Sequence, residues 1–216
     1  LVTGASRGIG RAIAIRFAQE GAQVAFTYLS SVEKGQALEA ELAALGIKAK
    51  GYRSDASDYQ QAEDLMNQVV ADFGKIDVLV NNAGFSRNGV AESFTTADVQ
   101  ELFDINVFAP WRLMKLVLPF MRKQSEGLII NITSGFGAVS FPFATMYSAS
   151  KFGLIGLSES LMQEVRKSNI RVMTMTPSTI ATDMSINLNL TDGNPESVLQ
   201  PEDFAELLLA HLKLNS

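Results

Sequence analysis

The 216-residue chain contains no cysteine and a single histidine, His211. The absence of cysteine excludes disulfides and thiolate metal sites, and it suits a reducing cytoplasm, where we expect the protein to work. With one histidine as well, the usual ligands of a catalytic transition metal are nearly missing, so no metal is expected. Charge is sparse at 19% of residues and carries no basic excess, since the formal net charge is −5. That balance argues against nucleic acid as a partner. Long apolar runs are lacking too. Stretches such as 128–132 are broken within a few residues, well short of the roughly 20 that a membrane span requires, so no membrane partner is expected. Asn131-Ile132-Thr133 and Asn189-Leu190-Thr191 match the glycosylation pattern. No signal-peptide pattern precedes them, and both are expected to be chance matches.

Hydrophobic residues make up 47% of the chain, enough for a proper core in one α/β domain spanning 1–216. Strand-like apolar runs at 1–2, 22–28, 48–53, 78–81, 128–132 and 170–175 alternate with helical patterns. The helical patterns fall near 11–20, 32–45, 59–73, 98–122, 146–167 and 201–214. Short strands apolar on both sides, alternating with helices, predict a single doubly wound, Rossmann-type parallel sheet with helices on both faces. Residues 182–200, rich in Asn, Ser, Thr and Gly, read as a long loop before the last helix, a common place for a substrate lid. The run at 1–2 is shorter than the roughly five residues of a typical strand, so the first strand is expected to be incomplete and the chain trimmed.

Thr3-Gly4-Ala5-Ser6-Arg7-Gly8-Ile9-Gly10 falls at the first strand-to-helix turn. Glycines there let backbone approach a pyrophosphate, and the following helix offers free N–H groups and a positive dipole end. A tight turn needing positive φ is the alternative reading. The second strand ends Tyr28-Leu29-Ser30-Ser31 without the acid that usually holds an NAD ribose 2′-hydroxyl. Ser30 and Glu33 have capping-box spacing for the next helix. With Arg7 available to meet a phosphate, the pattern favours NADP(H) over NAD.

Tyr147-Ser148-Ala149-Ser150-Lys151 opens a helical stretch. Residues four apart share a helix face, so phenol and ammonium are expected to be neighbours, with the cation lowering the phenol pKa. A surface Tyr-Lys pair is the alternative. Taken with the glycine loop, Asn81-Asn82-Ala83-Gly84, Asn106, and Ser134 thirteen residues before Tyr147, the order of motifs resembles the short-chain dehydrogenase/reductase family. The resemblance runs from residue 1 to about 184. Within the family, residues 3–14 and Thr182-Asp183-Met184 look like those of 3-oxoacyl-[acyl-carrier-protein] reductases.

The resemblance implies that Tyr147 gives a proton to the substrate oxygen and Ser134 hydrogen-bonds that oxygen. It implies that Lys151 holds the nicotinamide ribose and that Asn106 keeps a water in the proton relay. It assigns the cofactor to Gly4, Ser6, Arg7, Gly8, Ile9 and Gly10, to Leu29 and Ser30, and to Asp55 and Ala56 at the adenine. Asn82, Ala83 and Gly84 would line the adenosine ribose, and Pro177, Ile180 and Thr182 the nicotinamide end. The alternatives are that Ser134 caps a turn, Asn106 satisfies helix backbone, and Asp55 caps the helix near Tyr59. Two departures stand out. Pro177-Ser178 replaces the family's Pro-Gly, and its final strand is absent after Ser216. The expected activity is reduction of an apolar ketone or 3-oxoacyl thioester, with acyl carrier protein as a possible carrier, by a homodimer or homotetramer. A non-catalytic NADPH-binding regulator is the rival reading, and an extended-branch nucleotide-sugar epimerase a more distant one. Phe85, Phe136, Phe141 and Phe143 are the expected apolar pocket, and Met162, Met173 and Met175 the expected core filling.

Overall fold

Residues whose apolar side chains repeat on one helical stripe, or run continuously over five or six positions, build an α/β Rossmann-type fold from parallel strands and helices. A computed structural model of the protein describes residues 1–214. The last two residues of the 1–216 span lie outside the described residues. Internal contacts divide the chain into two compact units, Leu1–Arg53 with Thr179–Ser216, and Ser54–Ser178.

In the first unit, Val2 pairs in parallel with Phe26, through Val2 N–H to Ala25 carbonyl and Thr27 N–H to Val2 carbonyl. This two-residue contact is what the short first run contributes. Helix α1 (Gly8–Gln19) leads to strand β1 (Val24–Tyr28), then α2 (Val32–Ala44) and β2 (Ala49–Arg53). Strands β1 and β2 pair in parallel, with Val24 opposite Ala49 and Tyr28 opposite Arg53. Ile13, Phe26, Leu38 and Leu42 are the buried apolar centre. A Cβ on Gly35 would meet the Tyr28 ring at 2.5 Å, so glycine lets α2 lie close on β1. The expected Ser30–Glu33 capping box does not form: Ser31 is the N-cap and makes no side-chain capping bond. Residues 182–200 are less loop-like than expected. They hold the short helix α7 (Asp183–Asn187), started by a reciprocal cap between Thr182 and Ser185, and Ala181 N–H to Leu199 carbonyl closes the excursion. Helix α8 (Pro201–Leu214) packs along α1, burying Phe204, Leu208 and Leu209. Arg16 pairs with Glu20 at the end of α1, while Arg16–Glu206 and Lys213–Glu20 join α1 to α8.

The second unit holds α3 (Tyr59–Phe73), β3 (Val78–Asn81), α4 (Thr96–Phe103), α5 (Ala109–Gln124), β4 (Gly127–Ile132), α6 (Thr145–Val165) and β5 (Ile170–Met175). Its strands are parallel in the order β3-β4-β5. Every residue of central β4 is buried, as expected for a strand covered on both faces. Strand β5, at the edge of this sheet, buries only Ile170 fully. Asn131 is fully buried in β4, which excludes it as a glycosylation site. The helix expected over 98–122 is interrupted by a π turn at Asp104–Phe108. Pro110 has no N–H, so the α-helical bond to the Asn106 carbonyl cannot form there. Met162 is exposed and Met173 and Met175 half-buried, so the core filling expected of these methionines falls instead to Met66, Met114 and Met121. Among the described residues no helix is long and apolar enough to cross a membrane.

Candidate active site

Strand β4 delivers Ser134 and helix α6 delivers Tyr147 and Lys151. Just past the strand, Ser134 is extended (φ −165°, ψ 156°) and its oxygen accepts the Phe136 N–H at 3.3 Å. The turn it starts is pinned by Gly135 N–H to Pro177 carbonyl at 2.7 Å. The Ser134 hydroxyl also lies near enough to the Tyr147 phenol to act on its pKa. Tyr147 lies in the first turn of α6 and is 9% exposed, with Phe136 edge-on at 5.7 Å. One turn on, Lys151 is 5% exposed. Its Nζ donates to the Ile132 carbonyl at 3.2 Å and lies 5.8 Å from the Tyr147 ring centroid. The i,i+4 spacing thus brings the pair together, inside the protein and not on its surface.

Burial dominates the electrostatics. It pushes the Tyr147 phenol above its ordinary value, with the nearby Ser134 hydroxyl acting the other way. The same cause lowers the Lys151 ammonium to about 8. The sequence suggested that Lys151 would lower the phenol; here desolvation dominates and raises it instead. A phenol held above its usual pKa stays protonated at neutral pH, the form needed to give a proton to a carbonyl oxygen.

Asn106 sits at the π turn, fully buried. Its Nδ2 donates to the Phe85 carbonyl (2.9 Å) and Ser150 Oγ (3.1 Å), and its Oδ1 accepts the Phe85 N–H at 3.1 Å. Ser150 Oγ in turn donates to the Tyr147 carbonyl at 2.7 Å. The side chain therefore ties the turn after β3 to α6. A Cβ on Gly84 would stand 3.0 Å from Asn106 Oδ1 and 3.5 Å from Lys151 Nζ, so glycine here keeps the space beside both side chains open. Asn82, Ala83 and Gly84 are all half-buried there. Pro177 is half-buried, and Ser178 takes no positive φ, which explains why serine fits where the family has glycine. Phe136 stacks on Phe141 at 4.6 Å. Phe143 is exposed at φ 64° and accepts the Gly89 N–H at 2.8 Å, while Phe85 is half-buried.

The dinucleotide features of the first unit are equally specific. Gly4 and Gly8 adopt positive φ of 64° and 56°, the left-handed region that glycine enters without strain. Gly4 N–H donates to Thr27 Oγ1 and Ala5 N–H to Thr27 carbonyl, which anchors the loop to β1. Ser6, Ile9 and Gly10 follow in the same turn. Arg7 is the N-cap of α1 and makes no side-chain cap, so the first-turn N–H groups remain for an anion. A Cβ on Gly8 would lie 3.4 Å from Thr182 Cγ2: Thr182 sits against the loop, and Ile180 beside it is buried. Arg7 Nη1 is 3.7 Å from the Asp183 carboxylate. Leu29 and Ser30 are exposed after β1. In the second unit Asp55 accepts from Ser57 N–H and Oγ at 2.8 and 2.7 Å, with Ala56 between them. Helix α3 is capped by Asp58 and not by Asp55. Among the described residues no cluster could hold a metal ion.

Several supporting residues had no signal in the sequence. Asn131 accepts from Asn81 Nδ2 and donates to Ser158 Oγ, both at 2.8 Å, and so fastens α6 to β3 through β4. The relevant spacings are 50 and 27 residues, and no local periodicity encodes them.

The family described as short chain dehydrogenase matches residues 1–193. A 3-oxoacyl-[acyl-carrier-protein] reductase of Haemophilus influenzae is 42% identical over 185 residues, covering 86% of this chain and 75% of the relative. One from Staphylococcus aureus is 37% identical over the same shares. A metagenomic short-chain oxidoreductase solved in complex with NADP superposes with a TM-score of 0.84 at 34% identity, over 97% of this chain and 87% of that one.

Proposed function

The chain belongs to the short-chain dehydrogenase family, and we propose that it reduces a ketone or 3-oxoacyl thioester to the hydroxy compound through Ser134, Tyr147, Lys151 and Asn106. At the coarser level it is an NADP(H)-dependent oxidoreductase acting on a carbonyl, like the relatives it matches. The observation that carries the finer reading is the burial of Tyr147 and Lys151 one turn apart on α6, beside the turn that Ser134 starts.

The residues fit the cofactor. Gly4 and Gly8 hold the loop in the left-handed conformation that side chains rarely adopt, and the uncapped start of α1 answers a pyrophosphate. Bound NADPH supplies the hydride to the carbonyl carbon. The substrate oxygen sits between Ser134 and Tyr147, where two hydroxyls meet the charge growing on it. As the C=O double bond becomes C–H and C–O, the Tyr147 proton passes to the oxygen. Lys151, with one donor on Ile132, uses its remaining N–H bonds to hold the ribose and return charge balance to the phenol. The Asn106 carbonyl, denied its α-helical donor by Pro110, holds the water that re-protonates the chain of donors.

Phe136 and Phe141 supply an apolar wall beside Tyr147, which suits a hydrophobic ketone or acyl chain. The relatives named for acyl carrier protein support a carrier-linked substrate. We further propose that residues 1–216 act as one catalytic domain in the cytoplasm and assemble as a homodimer or homotetramer. A screen of ketones and 3-oxoacyl thioesters against NADPH oxidation tests the activity. Turnover of a medium-chain 3-oxoacyl thioester supports it, and NADPH binding without turnover of any carbonyl would favour the regulator instead.

A further inference from the structure

Strands β1 and β2 end together, with Tyr28 opposite Arg53. Nucleotides bind beyond the carboxyl ends of strands in sheets of this kind. At that edge Arg53 donates Nε to the Leu29 carbonyl at 3.1 Å. The bond fixes the guanidinium at the residue leading into Ser30 and Ser31, the place where an NAD site would carry its acid. Arg53 is exposed, and its Nη groups have no partner among the described residues. Ser31 spends no hydroxyl on capping α2. Arg7, by contrast, shares its guanidinium with Asp183.

We infer that Arg53 reads the 2′-phosphate of NADP(H), its Nη groups forking onto the phosphate oxygens and the Ser30 and Ser31 hydroxyls donating beside it. A guanidinium anchored through Nε and open at Nη matches a phosphate monoester in shape and charge, and anchoring reduces the side-chain freedom lost on binding. Glu33, exposed in the first turn of α2, is the opposing influence, since an acid there favours a free 2′-hydroxyl. The residues involved all lie in the first unit. The inference rests on the NADP(H) reading above and deepens it.

The test is calorimetric titration of wild type, Arg53→Gln and Arg53→Lys with adenosine 2′,5′-bisphosphate and with 5′-ADP. Losing charge-assisted hydrogen bonds should weaken the 2′-phosphorylated probe roughly tenfold or more in Arg53→Gln, and less in Arg53→Lys. Binding of 5′-ADP should stay within about twofold, which also reports that the variant is folded. A 2′-phosphate preference that survives in Arg53→Gln, or equal losses for both probes, overturns the role of Arg53 alone. A wild type with no preference for the 2′-phosphate overturns the NADP(H) reading, and the inference with it.

Discussion

Lys151 is lowered to about 8 by burial, against 10.5 for the free side chain. The unfolded chain therefore binds a proton that the folded chain gives up between those values. Below about pH 8 both states are protonated and folding bears the whole desolvation cost, on the order of 3 kcal/mol for this shift. Above that pH the cost is relieved, so stability from this group rises with pH until the free value is passed. Lys151→Met should remove turnover yet be more stable than wild type near pH 7, with the gap narrowing toward pH 10. Urea unfolding of both proteins across that range checks it, and a variant less stable at pH 7 contradicts it. Tyr147, Lys151 and Ser134 were legible in the sequence because their relations are local or ride on a strand end. Arg53 was not, because its Nε donates to a carbonyl 24 residues away, a relation that no local spacing encodes. The direction of the Tyr147 shift was also hidden, since burial depends on Phe136 and the β4–α6 packing and not on spacing.

At the scale of elements, the turn after β4 and the helix α6 must hold Ser134 and Tyr147 in register. Gly137 is where they touch. A Cβ there would come within 3.0 Å of Lys151 Cβ and Ile155 Cδ1, and 3.1 Å of the Lys151 carbonyl carbon. Helix backbone cannot yield as a side-chain tip can, so Gly137→Ala should push the turn off α6 and cost about 1–3 kcal/mol. Turnover should fall at least about tenfold, since small misplacements cost heavily in a positioned site. NADPH affinity should change much less. Thermal unfolding, kcat and a binding titration separate these effects, and unchanged kcat would show that the turn tolerates the displacement. The positions of nearly all helices and strands were readable from apolar periodicity, but the break in 98–122 was not. Its cause, Pro110 removing a donor to Asn106, sits inside an otherwise regular helical pattern. Likewise α7 escaped notice because five residues are too few to show a period.

For the whole molecule, Phe108, Trp111 and Phe152 are 39–44% exposed on the π turn, α5 and α6. Large aromatics on neighbouring helices suit a two-fold, helix-to-helix interface. Light scattering at micromolar concentration should therefore give a dimer or tetramer, and Trp111→Glu should shift it toward monomer. A monomeric wild type would contradict this assembly. The central claim, that a buried phenol on α6 delivers the proton in an NADPH-dependent carbonyl reduction, is tested most directly on Tyr147→Phe. Steady-state NADPH oxidation with a 3-oxoacyl thioester should be measured beside NADPH binding by fluorescence titration. Loss of the positioned acid should lower kcat about 10²- to 10⁴-fold while the dissociation constant for NADPH stays within a few-fold. A variant that keeps more than about a tenth of wild-type kcat would contradict the account.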